Sequence, residues 1–193
     1  MEWLTRYRED VRRYTEYSGG SALWQMLAQQ GLWALLEYRI ASSVYRSPLP
    51  PVLKRPLLLL FLAWQKLVEI VTGISLPHSA SIGSGLYIGH FGHMIVNGNA
   101  VIGARCNLSQ GVTIGVSGRG EKRGVPVIGN RVYVGANAVV AGKILVGDDV
   151  IIGANSLVTR DVPSGTTVLG VPAKVVATDG STEYIDGPQN PCD

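Results

Sequence analysis

The sequence is poor in the residues that mark most catalytic and nucleic-acid-binding classes. It holds two cysteines, three histidines and only 7% aromatic residues. Cys106 and Cys192 form no metal-ligand or redox spacing, and both read as free thiols of a reducing compartment. No basic run with interleaved aromatics occurs, which argues against a nucleic-acid partner. The longest apolar run, PLLLLFLAW at 56–64, has nine residues, too few to span a bilayer. The N-terminus, MEWLTRYREDVRR, opens on charges and lacks an apolar signal core. A cytoplasmic location follows as the expectation.

What is abundant is aliphatic residues and glycine: 46% of the chain is hydrophobic and 24 residues are Gly. That mixture predicts short aliphatic strands joined by tight corners. The net charge of +3 hides an uneven distribution, because the last eighteen residues carry four acids and no base. The mildly basic body suits a polyanionic small ligand.

Aliphatic residues recur every six positions at Leu76, Ile82, Ile88, Val96, Ile102, Leu108 and Ile114, then at Ile128, Val134, Val140, Val146, Ile152 and Val158. Gly often follows the anchor, and a small residue such as Ala80, Ala100, Cys106, Ala138 or Ser156 stands four places after it. A period of six fits neither a helix face nor simple strand alternation. It fits a short strand plus a corner, three to a turn, stacked into a triangular parallel β-solenoid whose ends need capping.

The rhythm breaks twice. Eight residues separate Ile88 from Val96, the extra ones within HFGHMI, and fourteen separate Ile114 from Ile128 across a loop at 115–127. Insertions in solenoids collect on one face and often carry binding. Ahead of the repeat, helices are expected at 2–17, 21–44 and 51–72, giving a helical segment over 1–74. The solenoid then occupies 75–176, and 177–193 reads as a loose, polar, acidic tail. The apolar run at 56–64 is expected to pack on the end of the prism, with a weak membrane-surface contact through the N-terminal helices as the alternative.

The run from Leu76 to Val176 resembles the left-handed β-helix, or hexapeptide-repeat, acyltransferases. GLYIGH, LSQGVTIG, VGANAVVAG and VPSGTTVLGVPAKVV carry the resemblance. They are similar to the serine acetyltransferase branch and to the O-acetyltransferases of surface-polysaccharide pathways. The resemblance implies the left-handed crossover, a homotrimer with sites between neighbours, acetyl-CoA as donor and no metal. It also implies a histidine that takes the proton of the acceptor hydroxyl as that hydroxyl attacks the thioester.

His90 falls at the catalytic position of that family and is assigned the general base. His93 is placed at the acceptor pocket or in solvent, and His78 at a surface corner. Ser75 stands where serine acetyltransferases have the Asp that holds the base, and Gly89 where they have a second Asp. Gly124 and Val125 stand where they have an Arg-His pair; only Arg123 is near. Ser75, His93 and Arg123 are therefore the acceptor-side candidates. On the donor side the resemblance implies Gly115, Ser117, Ala136 and Ala154 along the pantetheine arm, and Gly170, Pro172 and Ala173 near the nucleotide, small residues that admit a ligand close to the backbone. The missing charged groups are those that would grip an amino acid. The leading expectation is therefore a sugar or glycan-precursor hydroxyl as acceptor, followed by L-serine. A non-catalytic scaffold comes next, and a three-histidine metal site of the carbonic-anhydrase type last.

Overall fold

A computed structural model describes residues 2–186. Four helices lead: α1 (Glu2–Ser18), α2 (Ala22–Ala28), α3 (Gln30–Arg46) and α4 (Pro51–Thr72). The first coil of the prism is β1 (Ile74–Ser75), β2 (Ser81–Ile82) and β3 (Tyr87–Ile88). The second is β4 (Met94–Val96), β5 (Val101–Ile102) and β6 (Asn107–Leu108). The third is β7 (Thr113–Gly115), β8 (Val127–Ile128) and β9 (Tyr133–Val134). The fourth is β10 (Val139–Ala141), β11 (Leu145–Val146) and β12 (Ile151–Ile152). β13 (Leu157–Val158), β14 (Thr167–Gly170) and β15 (Ala173–Ala177) close the stack, and α5 (Thr182–Asp186) follows.

Three sheets form the three walls. They run β1-β4-β7-β10-β13, β2-β5-β8-β11 and β3-β6-β9-β12-β14-β15, parallel throughout except for the β14–β15 hairpin. Every six-residue anchor from Leu76 to Val158 is buried. The small residues four places on, Ala80, Ala100, Cys106, Ala138 and Ser156, are buried as well, because the triangular interior narrows where the chain enters each corner. Burial pushes the Cys106 thiol up to about 12, so it behaves as a packing residue. Cys192 lies outside the described residues.

One corner column needs left-handed backbone in every coil. It comprises Gly73, His93, Gly111, Asn137 and Asn155, all at positive φ. This fixes the meaning of the first register break. His93 is the regular corner residue of that column, with φ 43°; the two extra residues fall ahead of it, in the stretch that holds His90 and Phe91. Both are exposed.

The helices seal the open end of the prism, where β2 and β3 have no strand beneath them. The Tyr38 hydroxyl accepts from Ile82 N (3.0 Å) and donates to Ala80 O (2.9 Å). The Tyr14 hydroxyl does the same for Ile88 N (3.0 Å) and Ile88 O (2.9 Å). Asp10 accepts from Leu86 N, and Arg39 donates to Ile82 O and Gly83 O while pairing with Asp10 at 2.8 Å. Side chains from α1 and α3 thus satisfy a strand edge that would otherwise be buried unpaired.

Three expectations are corrected here. The helix expected at 21–44 is two helices, broken at Gln29, whose extended backbone re-aims the chain. The break lets Gly31 approach the prism so closely that a Cβ there would lie 2.2 Å from the Tyr14 hydroxyl. The residues after 177 are not all loose: Ser181 N donates to Asp149 O, Ile185 is buried, and the Tyr17 hydroxyl donates to Tyr184 O. His78 is half-buried against Tyr45, ring centres 5.0 Å apart, not a free surface corner.

Helix α4 packs inward through Gln65, Val68 and Thr72, and its outer face leaves Leu59, Leu60, Leu67, Ile70 and Val71 exposed. No described helix is long and apolar enough to cross a membrane.

Candidate active site

The residue two places after each strand of the β3-β6-β9-β12 wall turns the same corner of the prism. Those residues are His90, Gln110, Ala136 and Ala154, brought into one column by the registers Ile88↔Leu108↔Val134↔Ile152. Gly170 ends β14 directly beyond Ala154, through the pairing Ile152↔Val168. A cleft of about 1050 Å³ follows this column, bounded by His90, Gln110, Ala136 and Ala154 along its floor and by tyrosines along its side.

The tyrosines come from distant parts of the chain. Tyr87 and Tyr133 stand on the wall, Tyr17 projects from the end of α1, and Tyr184 from α5. Tyr17 stacks on Tyr87 with centroids 4.3 Å apart. A polar chain supports them: Arg13 donates to Asn107 Oδ1 at 2.7 Å, and Asn107 Nδ2 donates to the Tyr17 hydroxyl at 2.6 Å.

The structure brings His90, Ala136 and Ala154 together and separates the other candidates. Ser117 lies in a different groove, with Lys122, Lys143 and Arg160, at the corner that follows the β7-β10 wall. Gly115 ends β7 at that same corner, opposite Ala141. Pro172 and Ala173 line a third hollow with Arg160 and Asp161, around the β14–β15 hairpin. Arg123 is exposed on the loop at 115–127, where Ser117 and Gly124 pair as a small antiparallel arm. His93 is exposed and does not line the cleft. Among the described residues, no cluster of His, Cys, Asp and Glu is arranged to hold a metal ion.

Ser75 does not face an empty space left by the missing Asp. Its hydroxyl donates to Glu69 Oε1 at 2.6 Å. Gln65 Nε2 donates to the same oxygen at 2.8 Å, and Lys66 Nζ reaches Oε2 at 2.5 Å. Burial opposes the charge on Glu69, but these hydrogen bonds from Lys66, Ser75 and Gln65 outweigh it and hold the carboxyl below its usual range.

Behind it, Glu37 is buried with Oε1 unpartnered. Burial, and then the charge of Glu69, push Glu37 up to about 8 from an ordinary 4.5. A carboxyl raised in the folded state contributes stability that is fully present below about 4.5 and is lost as pH rises through about 8. Glu37→Gln should therefore match the wild type at pH 4 and exceed it by about 1–3 kcal/mol at pH 8.5. Denaturant unfolding at the two pH values measures this, and an unchanged gap would contradict it.

The sequence comparisons bear on this geometry. The family model for bacterial transferase hexapeptide (six repeats) matches residues 126–160. A serine acetyltransferase of Helicobacter pylori is 38% identical over 157 residues, covering 81% of this chain and 87% of its own. The chain belongs to the serine acetyltransferase family. The match with the Synechococcus elongatus serine acetyltransferase is 36% identical over 80% of this chain but spans only 60% of that longer protein. The crystal structure of the Neisseria gonorrhoeae serine acetyltransferase in complex with serine superposes with a TM-score of 0.77 at 32% identity. That superposition covers 91% of this chain and 69% of the other. The prism is therefore a left-handed β-helix, and the protein is a serine acetyltransferase-like O-acetyltransferase.

Some residues around the cleft were legible in the sequence and others were not. Gln110 was recoverable, since strand registers set by the anchors align it with His90. Tyr17 and Tyr184 were not, because helices outside the repeat bring them in and no periodicity encodes where those helices dock.

Proposed function

We propose that this serine acetyltransferase-like protein transfers the acetyl group of acetyl-CoA to the side-chain hydroxyl of L-serine, with His90 as general base. The observation that carries the chemistry is exposed His90 at one end of a corner column, at the mouth of a long cleft that continues past Gln110, Ala136 and Ala154. Relatives named serine acetyltransferases, one matched over 87% of its length, support the acceptor. The bound thioester supplies an activated acyl carbon. His90 takes the hydroxyl proton, and the shallow floor at Ala136 and Ala154 lets an extended chain lie against the corner. The grooves at Ser117 and at His90 lie on different corners of one prism. They serve a single ligand only if a second copy presents its Ser117 corner to the first, which supports a trimer. Lys122, Lys143 and Arg160 then meet the donor's phosphates.

A second reading is favoured by one observation: the lining of the cleft includes Glu183 but no Lys or Arg to hold an amino acid's carboxylate. Instead it offers the Tyr17–Tyr87 stack and the amide of Gln110. Flat rings with a nearby amide suit a polyhydroxylated sugar. CoA release measured with L-serine, free sugars and nucleotide sugars, with His90→Ala as control, decides between the two. Turnover confined to L-serine supports the first reading, turnover confined to sugars the second, and none with any acceptor points to a non-catalytic scaffold.

The placement of the donor is testable separately. Ala136→Leu or Ala154→Leu fills the floor of the cleft and should raise the KM for acetyl-CoA by ~10-fold or more, since such a change removes binding shared by ground and transition states. Unchanged acetyl-CoA kinetics in both variants would move the donor elsewhere.

A further inference from the structure

The helix that leads into the prism turns an apolar face to solvent. We propose that this outward face of α4 docks on an anionic lipid surface, with the helix lying in the plane of the bilayer interface.

The run at 56–64 does not pack on the end of the prism as its composition suggests, for Leu59, Leu60 and Leu62 are exposed. The buried residues of α4 are Gln65, Val68 and Thr72, and the helix packs on α3 and β1. At about 100° per residue, the arc opposite those three is about 120° wide and runs from Val52 to Val71, a length of ~28 Å. It carries Val52, Leu59, Leu60, Leu67, Ile70 and Val71, all exposed, with Val52 and Ile70 at 82%. No residue on the arc has a polar side chain. The solvent side of a surface helix is ordinarily its polar side, and a continuous apolar strip of this length marks an interaction surface.

Two observations select lipid as the occupant. A specific protein interface carries about one hydrogen bond per 100–200 Å², yet this arc offers no side-chain donor or acceptor to set a partner's register. A fluid bilayer asks for none. The charge of the helix also complements an anionic surface. α4 holds three cations, Lys54, Arg55 and Lys66, against one acid, Glu69. Arg55 and Lys66 are exposed and stand along the same edge of the arc, where long stems carry their charges toward headgroups. Glu69 does not oppose them as a free anion, because its oxygens accept from Ser75, Gln65 and Lys66.

The mode of docking follows from what already holds the helix. No described helix is long and apolar enough to cross a membrane, and one side of α4 is occupied by α3. Only the opposite arc is available, so the helix lies along the interface, as amphipathic helices with basic flanks do, its apolar side chains sunk ~5–10 Å below the headgroups.

Flotation of the full chain with vesicles tests this, using phosphatidylcholine with and without phosphatidylglycerol. The wild type should bind the vesicles that contain phosphatidylglycerol ~10-fold more tightly or better, and high salt should shrink that preference by screening the cations. Leu60→Asp with Leu67→Asp should weaken binding to both kinds of vesicle by ~10-fold or more, since two apolar side chains no longer leave water. The same variant should keep its melting temperature and its oligomeric mass by light scattering, because both positions face solvent. Arg55→Gln with Lys66→Gln should abolish the preference for phosphatidylglycerol and leave the weaker binding to phosphatidylcholine in place. Absence of wild-type flotation with either vesicle would overturn the proposal, as would flotation indifferent to the paired leucine substitutions. A changed oligomeric mass in the leucine variant would overturn it too, by assigning this face to a second copy of the chain.

Discussion

His90→Ala should lower kcat by ~10²–10⁴-fold while leaving the affinity for acetyl-CoA nearly intact. That range is the usual contribution of a positioned general base. The floor of the cleft lies at Gln110, Ala136 and Ala154, on coils beyond the one that carries His90, so removing the imidazole leaves that floor, the surface proposed for the donor, in place. Single-turnover rates together with equilibrium binding of acetyl-CoA separate the two effects. His93→Ala provides the internal contrast. Its side chain projects from the regular left-handed corner into solvent, and the variant should keep its rate; a collapse equal to that of His90→Ala would reassign the base. Substituting His93 by Gly should if anything relieve strain, because its backbone sits where glycine is at home.

The second large effect concerns the seal of the prism. Asp10 and Arg39 are almost wholly buried and meet at 2.8 Å. Arg39 also serves two carbonyls of the first coil, and Asp10 one of its amides. Removing one partner leaves an uncompensated charge and exposes strand-edge groups, at a cost of about 3–5 kcal/mol. Asp10→Ala or Arg39→Ala should therefore lower the Tm by ~6–20 °C for a chain of this size. The double replacement Asp10→Leu with Arg39→Met should recover part of that loss, because a buried pair replaced by apolar groups is often less harmful than a broken one. Calorimetry on the three variants gives the comparison. A loss in the double variant equal to the sum of the single losses would mean that the two residues do not act as a pair.

These two outcomes draw on unequal parts of the sequence. The solenoid is legible because its inward positions repeat: each of Leu76 through Val158 meets the same three-sided interior, so one physical demand is written many times. The bulge at HFGHM is legible for the same reason, as an interruption of that repeat. The seal is not. Tyr14, Tyr38, Asp10 and Arg39 each answer a different unpaired amide or carbonyl, so they share no spacing. Gln29 carries no helix-breaking signature, and only the docking of Gly31 against Tyr14 shows why the helix stops there. The side of the cleft is the least legible part. It depends on Tyr17 and Tyr184, which reach it from helices α1 and α5.

The column His90–Gln110–Ala136–Ala154 makes the protein a ruler. Adjacent coils are one strand spacing apart, ~4.8 Å, so three steps place Ala154 ~14 Å from the level of the base. The length a ligand must have to reach from one end of the corner to the other is therefore counted in whole coils and cannot be tuned continuously. Excising the coil from Tyr133 to Asp149 and Val150, one full circuit between equivalent wall positions, would shorten the groove by a single step while keeping the seal, the bulge and the terminal hairpin. A donor whose arm spans the natural groove would then overhang by that step. Reach along this surface changes only by integers.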